Sequence, residues 1–386
     1  MSNRANNHPL SVMFILSDVP FFLSHRLALA LAAQKEGYDV VIAAPRQSDV
    51  DLLAPYGFEV LPIDLYRRST SPLLELRCLL SIFSTLKKRR PDIVHLITAK
   101  PIFYGGISAR LLRIPALAAL TGMGYAFTHK TFKTRILRTL LSGLYRSALN
   151  TPLAHVLFQN RDDLKIATDN GFVRRATTSL VGGSGTDLSK ITPKPLPEGP
   201  VVVLMPCRML RDKGVVEFVE AARDIKASGS NAIFRLLGDP DANNPTSLTP
   251  EELQGWVSEG VVEWLPFTAD VDSAFAQCHI VALPSYREGF PKTLIDSAAA
   301  GRAAVATNVP GCRDAIVEGV TGQLCEVRSS TSLATVLREM ISNAEQVAQM
   351  GKAARAHAEQ HFDIRMVEKA HLDIYANLAQ RRTANP

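Results

Sequence analysis

The stretch "HIVALPSYREGFPKTLIDSAAAG" (residues 279–301) has the pattern of a strand, a loop and a helix in succession. Its first part, "HIVALP", is uniformly apolar, as expected of a strand that is buried on both faces of a parallel sheet. Pro291 suits the first turn of a helix, and Leu294 belongs to an apolar stripe along that helix. "REGF" (287–290) is therefore predicted to be the loop at the carboxyl end of the strand.

The same strand–helix alternation recurs along the whole chain. Apolar runs occupy residues 10–16, 39–44, 58–63, 92–97, 115–120 and 154–159 in the first half and 201–206, 232–238, 279–284 and 303–307 in the second. Helical patterns follow many of them, among them 72–90, 132–149, 214–228, 291–300 and 329–361. This alternation predicts an α/β protein with parallel sheets that carry helices on both faces.

A proline-rich segment, "ITPKPLPEGP" (191–200), divides the chain into two halves. Its composition is that of a linker, and 386 residues exceed what one core usually organises. We predict two doubly wound, Rossmann-like domains that face each other across a cleft, at 1–190 and 191–362. Ligands of such sheets bind at the carboxyl ends of the strands, so both domains should offer loops to the cleft.

Charge is distributed unevenly between the halves. Residues 1–190 hold 24 Lys and Arg against 13 Asp and Glu, whereas 191–386 hold 19 against 24. Two basic runs stand out, 87–90 and 121–150. Solvated helix faces are one interpretation of these runs. The asymmetry favours an anionic partner, either a phospholipid surface or a diphosphate ligand, and no nucleic acid partner is predicted.

The five cysteines are scattered and contain no CxxC pair, which indicates a reducing compartment and neither disulfides nor a zinc site. No segment reaches about 18 uncharged apolar residues, and "MSNRANNHPL" (1–10) lacks the order of a signal peptide. We therefore expect a cytoplasmic protein, with peripheral contact at the cytoplasmic face of the inner membrane.

Charged side chains cluster in two loops that follow strands of the second domain. In "REGF", Glu288 lies at the mouth of the cleft, and the amides of Gly289 and Phe290 lie near a helix N-terminus, which attracts phosphate. In "CRMLRDKGV" (207–215), Arg208 and Lys213 can neutralise a diphosphate leaving group. Both loops belong to the same edge of one sheet, which predicts an anion site there.

A simpler interpretation of the first loop remains open. Glu288 could be an acid that complements the helix dipole, and Asp296 could be the i,i+4 partner of Lys292.

Loops of the first domain supply candidates for the acceptor side of the cleft. "SDVPFFLSHR" (17–26) contains His25, and "TGMGY" (121–125) contains Gly122 and Gly124. With His95, the histidines are candidates for a general base or a substrate contact.

Other phosphate and metal motifs are weak or missing. No GxGxxG follows the first strand, and neither GxxxxGK[ST] nor GxSxG occurs. "VGGSG" (181–185) is a weak phosphate-loop pattern in which Gly185 could face the cleft. Asp239 and Asp241 form a DxD pair that could bind a metal–diphosphate, but three letters in a turn-like context are little support, and no metal site is predicted.

Several stretches together resemble glycosyltransferase family 4, which has the GT-B fold. "EGFPKTLID" (288–296) resembles its EX7E signature, and "CRMLRDKGV" resembles its Arg…Lys diphosphate loop. "VGGSGTDLSKITP" (181–193) is similar to its interdomain segment, and "VPGCRDAIVEGVTG" (309–322) to the usual continuation. "FFLSHR" (21–26) and "LTGMGYAF" (120–127) resemble the capsule and O-antigen branch. The resemblance covers nearly the whole chain.

This resemblance implies a retaining transferase with a nucleotide-sugar donor, no cofactor and no bound metal. Glu288 would bind the donor sugar, with Gly289 and Phe290 amides nearby, and Asp296 would hold the ribose hydroxyls. Arg208 and Lys213 would stabilise the departing diphosphate. Pro291 and Leu294 belong to the same donor-binding segment.

Two further implications concern the end of the signature and the end of the chain. Position 296 is Asp where the family usually has Glu, one methylene longer. Residues 363–386 would form a helix that crosses back to the first domain.

The expected reaction moves a sugar, from a UDP-activated N-acetylhexosamine, to a polyprenyl-diphosphate-linked acceptor in polysaccharide, O-antigen or capsule assembly. The basic first half suits such an acceptor at an anionic membrane surface. The alternatives are a non-hydrolysing sugar-nucleotide epimerase, a transferase with a GDP-sugar or a non-lipid acceptor, and a non-catalytic sugar-nucleotide- or membrane-binding module.

Overall fold

A computed structural model of the chain describes residues 9–67, 69–123, 132–242 and 244–384. The chain forms two compact units. The first contains the described residues up to Val181 and those from Val367 onward, and the second is Gly182–Met366. The change from the first unit to the second therefore falls at Val181, before the proline-rich segment.

The first unit is built on a seven-stranded sheet whose strands are all parallel, in the order β3-β2-β1-β4-β5-β6-β7. Its strands are β1 (Ser11–Ile15), β2 (Asp39–Pro45), β3 (Glu59–Ile63), β4 (Ile93–Ile97), β5 (Ala116–Leu120), β6 (Ala154–Phe158) and β7 (Thr177–Leu180). Strand β1 lies inside the sheet, between β2 and β4, and is buried along its whole length, which explains its uniformly apolar sequence.

Helices cover both faces of this first sheet. They are α1 (Val19–His25), α2 (Leu27–Lys35), α3 (Pro72–Arg89), α4 (Gly106–Leu112), α5 (Phe132–Leu149) and α6 (Arg161–Asp169). One core, which includes Met13 and Val94, lies under α3, α4 and α5. A second core, which includes Phe14 and Ile42, lies on the opposite face under α1 and α2.

The second unit holds a six-stranded parallel sheet in the order β10-β9-β8-β11-β12-β13. Its strands are β8 (Val202–Pro206), β9 (Ile233–Leu237), β10 (Glu263–Leu265), β11 (Ile280–Leu283), β12 (Ala303–Thr307) and β13 (Gly322–Cys325). The strand order reverses between β8 and β11, and such a reversal opens a crevice at the carboxyl ends of the two strands. The predicted class, two parallel-sheet α/β domains, is confirmed.

The helices of the second unit mostly follow the sequence pattern. They are α7 (Val215–Ala227), α8 (Pro250–Ser258), α9 (Val271–Ala276), α10 (Lys292–Ala299), α11 (Cys312–Ala315), α12 (Ser330–Ser342) and α13 (Ala344–His361). The single helix predicted at 329–361 is wrong, because the chain breaks at Asn343. The Asn343 side chain accepts a hydrogen bond from the amide of Gln346 at 3.1 Å and so begins α13.

The last helix, α14 (Ile364–Ala384), belongs to the first unit from Val367 onward. Tyr375 is completely buried there, and its hydroxyl lies 2.6 Å from Nδ1 of His95. Near the end of the helix, Arg381 donates to the carbonyl of Pro152 at 3.2 Å. These contacts fix α14 on the same face of the first sheet as α1 and α2. None of the helices in the described ranges is long and apolar enough to cross a membrane.

Candidate active site at the edge of the second sheet

Two loops meet at the point where the strand order of the second sheet reverses. One follows β8 and carries Arg208 and Lys213, and the other follows β11 and carries Glu288. Lys213 Nζ donates to Glu288 Oε1 at 2.5 Å. The two side chains are only 24% and 12% exposed. The structure thus brings together two charged residues that the sequence placed on separate loops.

Backbone contacts bring the two loops close enough for this ion pair. The amide of Tyr286 donates to the carbonyl of Asp212 at 2.9 Å, and Thr293 Oγ1 donates to the carbonyl of Pro206 at 3.2 Å. Gly214 has a φ of 79°, and a Cβ there would overlap the carbonyl of Pro284. Only glycine lets the chain turn so close to the end of β11. These residues were missed in the sequence, where only a glycine directly after Lys213 hinted at them.

A second glycine supports the Glu288 loop from the other side. Gly311 has a φ of 79°, and a Cβ there would overlap the carbonyl oxygens of Gly289 and Glu288. Thr307 Oγ1 donates to the carbonyl of Ser285 at the start of the loop. The loop that presents Glu288 is therefore held by backbone packing on both sides, which is the rigidity that a preorganised charge site requires.

The electrostatics of the pair make Lys213 a fixed cation. Burial lowers the pKa of Lys213, but the charge of Glu288 and its hydrogen bond outweigh that effect, so the pKa lies above its ordinary value. Burial has the opposite effect on the pKa of two neighbouring thiols, because it disfavours their charged form. Burial raises the pKa of Cys207 to about 12 and that of Cys312 well above its ordinary value. At neutral pH the site therefore presents a lysine cation and no thiolate from either cysteine.

Arg208 is half-exposed on the same loop and already has a carboxylate partner. Its Nη1 lies 3.0 Å from Oδ2 of Asp241, while Oδ1 of Asp239 accepts the amide of Phe267 at 3.1 Å. The DxD carboxylates are thus both engaged by protein donors. Within the described part of the chain, no three His, Cys, Asp or Glu side chains are grouped so that they could hold a metal ion.

The donor segment at the start of α10 divides into main-chain and side-chain roles. The sequence predicted Pro291 in the first turn of this helix. In the structure Pro291 is instead the N-cap, one residue before the helix begins. Leu294 is buried in a core cluster with Leu283, so its side chain serves packing. The ring of Phe290 packs edge-on against Phe362 at 5.6 Å. Phe290 would therefore meet a ligand through its backbone.

Asp296 lies in the second turn of α10 and is the partner of Lys292, as the simpler interpretation of the sequence predicted. Lys292 Nζ is 2.8 Å from Asp296 Oδ1, and the Asp296 side chain is 8% exposed. Lys292 also reaches the carbonyl of Gly185 at 3.5 Å. Glu288 and Asp296 thus each pair with a lysine of their own, which differs from two carboxylates that share one proton.

The acceptor-side candidates of the first unit have different environments. His25 ends α1, where Nδ1 lies 2.7 Å from Ser24 Oγ and the ring stacks on Phe21. Gly122 follows β5 with a φ of 148°. Gly124 lies outside the described residues.

His95 does not lie in a strand-end loop with the other acceptor-side candidates, but in the apolar run 92–97 that the sequence predicted as a strand. It lies within β4, is completely buried and stacks on Phe14. Burial, followed by the neighbouring His371 and Arg26, lowers its pKa well below the ordinary value. His95 is therefore a neutral core residue in this structure, out of reach of a substrate.

Comparison with known families divides the chain at a similar place. Residues 13–156 match the model described as "Glycosyl transferase 4-like", and residues 189–357 match "Glycosyl transferases group 1". All the residues of the loops that follow β8 and β11 fall within the second match.

Two relatives illustrate the sequence similarity. An N,N'-diacetylbacillosaminyl-diphospho-undecaprenol alpha-1,3-N-acetylgalactosaminyltransferase of Campylobacter jejuni is 26% identical over 383 residues, which cover 92% of this chain and 97% of that protein. A UDP-Gal:alpha-D-GlcNAc-diphosphoundecaprenol alpha-1,3-galactosyltransferase of Escherichia coli is 23% identical and covers 70% of this chain and 71% of that protein.

Solved structures show the same architecture. HepE of Anabaena in complex with UDP-glucose superposes with a TM-score of 0.76 at 18% identity, over 95% of this chain and all of that one. The lipopolysaccharide glycosyltransferase WaaG superposes with a TM-score of 0.72 at 16% identity, over 94% and 99%. At these identities the likeness concerns the fold alone. The two family matches show that the chain belongs to the group 1 and 4-like glycosyltransferases, and the solved structures show that it has their GT-B fold.

Proposed function

We propose that this glycosyltransferase is a retaining enzyme that moves an N-acetylhexosamine from a UDP-sugar to a saccharide linked to a polyprenyl diphosphate. The observation that carries the proposal is the Lys213–Glu288 pair, with Arg208 on the same loop, at the strand reversal of the second sheet. It combines two cations and a carboxylate at the place where doubly wound sheets bind ligands.

The two cations suit the leaving group of such a reaction. When the bond between the sugar and UDP breaks, negative charge grows on the diphosphate, and fixed cations lower the barrier. Lys213 is largely buried and held by Glu288. Arg208 is half-exposed, so it can turn from Asp241 to a phosphate and bind it with two parallel hydrogen bonds.

The carboxylate of Glu288 suits a binding role toward the sugar. Its Oε1 is taken by Lys213, and an ionised carboxylate keeps capacity to accept a sugar hydroxyl. In a front-face reaction the acceptor oxygen attacks from the side that the phosphate leaves, and a phosphate oxygen takes the acceptor proton. No protein nucleophile is needed, so retention is compatible with a carboxylate that is held by a lysine.

The identity of donor and acceptor rests on the relatives. The names of the Campylobacter and Escherichia proteins both specify acceptors on diphosphoundecaprenol, and the Campylobacter protein is named for N-acetylgalactosamine transfer. HepE binds UDP-glucose. These properties support a UDP-N-acetylhexosamine donor and a lipid-linked acceptor for this chain.

A donor screen tests the proposal. Purified protein is incubated with a panel of UDP- and GDP-sugars and a short-chain prenyl-diphosphate disaccharide or monosaccharide acceptor, with and without EDTA. We expect transfer from a UDP-N-acetylhexosamine that EDTA does not abolish, and NMR of the product should show the anomeric configuration of the donor. Absence of transfer from every donor would refute the activity. Transfer that needs added Mg²⁺ would return Asp239 and Asp241 to consideration, and conversion of the UDP-sugar without acceptor would favour the epimerase.

A further inference from the structure

Three elements of the second unit contact Tyr286, which lies two residues before Glu288 in the loop that follows β11. Its hydroxyl donates to Oε1 of Glu217 on α7 at 2.6 Å. The guanidinium of Arg328, in the turn between β13 and α12, lies 4.6 Å from the centre of its ring. Its amide donates to the carbonyl of Asp212, in the loop that follows β8. We call Tyr286, Glu217 and Arg328 the tyrosine clamp.

The contacts of Tyr286 fall on both sides of Lys213. Asp212 directly precedes Lys213 in the chain, and Glu217 follows it by four residues, in the first turn of α7. Because Tyr286 is close in the chain to Glu288, the tyrosine clamp connects the two loops that carry the ion pair. A shift of Tyr286 would therefore change the distance between the Lys213 cation and the Glu288 carboxylate.

The hydrogen bond between Tyr286 and Glu217 is of a strong kind. A carboxylate that accepts from a phenol makes a charge-assisted bond, roughly twice as strong as a bond between neutral groups. Burial and the bond to Glu217 raise the pKa of Tyr286 to about 12, so the phenol remains a donor at neutral pH. Oε2 of Glu217 is buried and has no hydrogen-bond partner within the described residues. Loss of the Tyr286 hydroxyl would therefore leave a partly buried carboxylate without this donor.

The backbone of Arg328 adopts a conformation that favours glycine. Its φ is 58°, in the left-handed region, which is strained for a residue with a Cβ. Arg328 is exposed, and its cation lies over the Tyr286 ring within the range of a cation–π contact. This contact offsets part of the strain, and it limits the motion of the ring.

We propose that Tyr286 is a positioning residue of the transferase, which holds Glu288 against Lys213 through its contacts with the tyrosine clamp. Its effect on the reaction passes through the ion pair, and this catalytic consequence rests on the proposed function. The position of Lys213 can be measured without any substrate. The geometry and the function can therefore be tested separately.

Chemical labelling of lysines tests the position of Lys213. Full-length protein is treated at about pH 8 with a limiting amount of an N-hydroxysuccinimide ester, and mass spectrometry follows each lysine over time. Lys213 is 24% exposed, and Lys292, which pairs with Asp296 in the same unit, is 31% exposed. A lysine released from its carboxylate is more accessible and less firmly protonated, so it reacts faster.

Tyr286→Phe keeps the ring and removes only the hydroxyl. In this variant we expect labelling of Lys213 to become at least about fivefold faster, while that of Lys292 stays within about twofold of the parent. A residue that served only the stability of the second unit would not separate the two lysines in this way.

A matched control removes the same chemical group from the first unit. The hydroxyl of Tyr104 also donates to a carboxylate, that of Glu75. Tyr104→Phe should leave the labelling of Lys213 within about twofold of the parent, although it loses the same kind of bond. Circular dichroism melts establish that both variants are folded.

Arg328→Gly separates positioning from stability. Glycine adopts the positive φ of this position without strain, so the melting temperature should stay within about 2 °C of the parent. Removal of the guanidinium should still make the labelling of Lys213 about threefold faster, because the Tyr286 ring is no longer covered.

Kinetics measure the catalytic consequence with the donor and acceptor that the screen identifies. Tyr286→Phe should lower kcat by about tenfold in the parent with little change in KM, and by less than about twofold in Lys213→Met, because Tyr286 acts through the pair. Tyr104→Phe should leave kcat within about twofold of the parent.

The contrary results are distinct. Unchanged labelling of Lys213 in either Tyr286→Phe or Arg328→Gly would overturn the inference. Equal acceleration of Lys213 and Lys292 would overturn it as well, since it would indicate a general loosening of the second unit, and so would equal losses of kcat in the parent and in Lys213→Met. If no donor reacts while the labelling behaves as expected, the proposed function fails and the positioning of Lys213 by Tyr286 stands.

Discussion

Lys213 and Glu288 form an ion pair 2.5 Å long although 75 residues separate them in the chain. The contact depends on the strand order, which makes β8 and β11 neighbours, and on Gly214, which lets one loop turn against the end of β11. A cation and a carboxylate held in this way are preorganised, so they need little rearrangement when charge develops on a substrate. This relationship yields the most direct prediction of the site.

Lys213→Met and Glu288→Gln should each lower kcat by about 10²–10³. The double variant should lose much less than the product of the two, because the residues act as a unit. Steady-state kinetics of the three variants measure this coupling. The exposed i,i+4 pair Lys165–Asp169 gives the control, since Lys165→Met with Asp169→Asn should leave kcat unchanged. Additive losses would contradict a functional pair.

The raised pKa of Lys213 also fixes the sign of a pH effect. A lysine whose pKa is raised by folding stabilises the folded state fully below its unfolded pKa of about 10.4, and this contribution disappears as the pH rises through the folded value. The charge of Lys213 is therefore constant near neutral pH. If the rate falls with rising pH below about pH 10, another group causes that fall, and it should persist in Lys213→Arg.

Gly311→Ala should distort the loop that carries Glu288. A Cβ at position 311 overlaps the carbonyl of Gly289 and also sits at a positive φ. We expect a loss of about 1–3 kcal/mol in the free energy of unfolding, measured in urea, and a higher KM for the donor. Gly319→Ala is the control, because Gly319 has a φ of 75° with no atom within 4 Å of the added Cβ. Equal effects of both changes would assign the loss to backbone strain alone.

The sequence predicted most of the sheets because buried parallel strands are uniformly apolar. β7, β10 and β13 were missed, and each is the last strand at one edge of its sheet. An edge strand is partly exposed, as the alternating burial of β7 and β10 shows, so its sequence lacks the apolar run. Asn343 was missed inside the long helical pattern because a capping asparagine resembles any polar surface residue.

The sequence predicted the charged residues of the candidate site but only one of the two ion pairs that they form. The Lys292–Asp296 pair follows from i,i+4 spacing within one helix. The Lys213–Glu288 contact instead requires the strand order, which no local pattern contains. His95 was named as a site candidate although it lies in a predicted strand, because the sequence does not show that its ring is buried against Phe14 and Tyr375.

Asp296→Asn should weaken donor binding more than chemistry. If Asp296 holds the ribose hydroxyls, the loss is uniform binding, so KM should rise about tenfold while kcat changes little. The same variant should show no such difference from the parent when the donor lacks the 2′- or the 3′-hydroxyl that it binds. Asp296→Glu restores the longer side chain that is usual in the family and tests whether the shorter one suffices to hold the ribose. Position 296 is only 8% exposed, so the longer side chain must either fit in the same space or displace Lys292. A KM effect that persists with both deoxy donors would show that Asp296 serves only the helix.

The cysteines should be nearly inert in the folded protein. Burial raises the pKa of Cys207, Cys278 and Cys325 to about 12 and raises those of Cys78 and Cys312 as well. Because the thiolate is the reactive form, labelling by a maleimide at pH 8 should be at least about a hundredfold slower than in denatured protein. Mass spectrometry should find five labels only after denaturation. Rapid labelling of Cys312 in the native state would contradict the packing of the loops that follow β11 and β12.

Acid should destabilise the first unit through histidines that are buried in the neutral form. Burial lowers the pKa of His371 to about 3, helped by the nearby charge of Arg26, while Nδ1 of His371 lies 2.7 Å from the carbonyl of Val367. His95 stacks on His371 at 5.6 Å, and its pKa is lowered in the same direction. Both rings lie where α14 packs on the first sheet. Protonation of either would place a charge beside the buried Arg26.

Below a pH of about 6.5 the unfolded chain binds protons that these folded histidines exclude, so stability must fall as the pH decreases toward the folded values. Each histidine contributes a slope of about 1.4 kcal/mol per pH unit in that window. Urea unfolding of the parent between pH 7.5 and 5 should show this loss, and His371→Gln should reduce the slope by about one proton. A parent whose stability is flat across this range would mean that α14 leaves the sheet readily enough for His371 to titrate as an exposed imidazole.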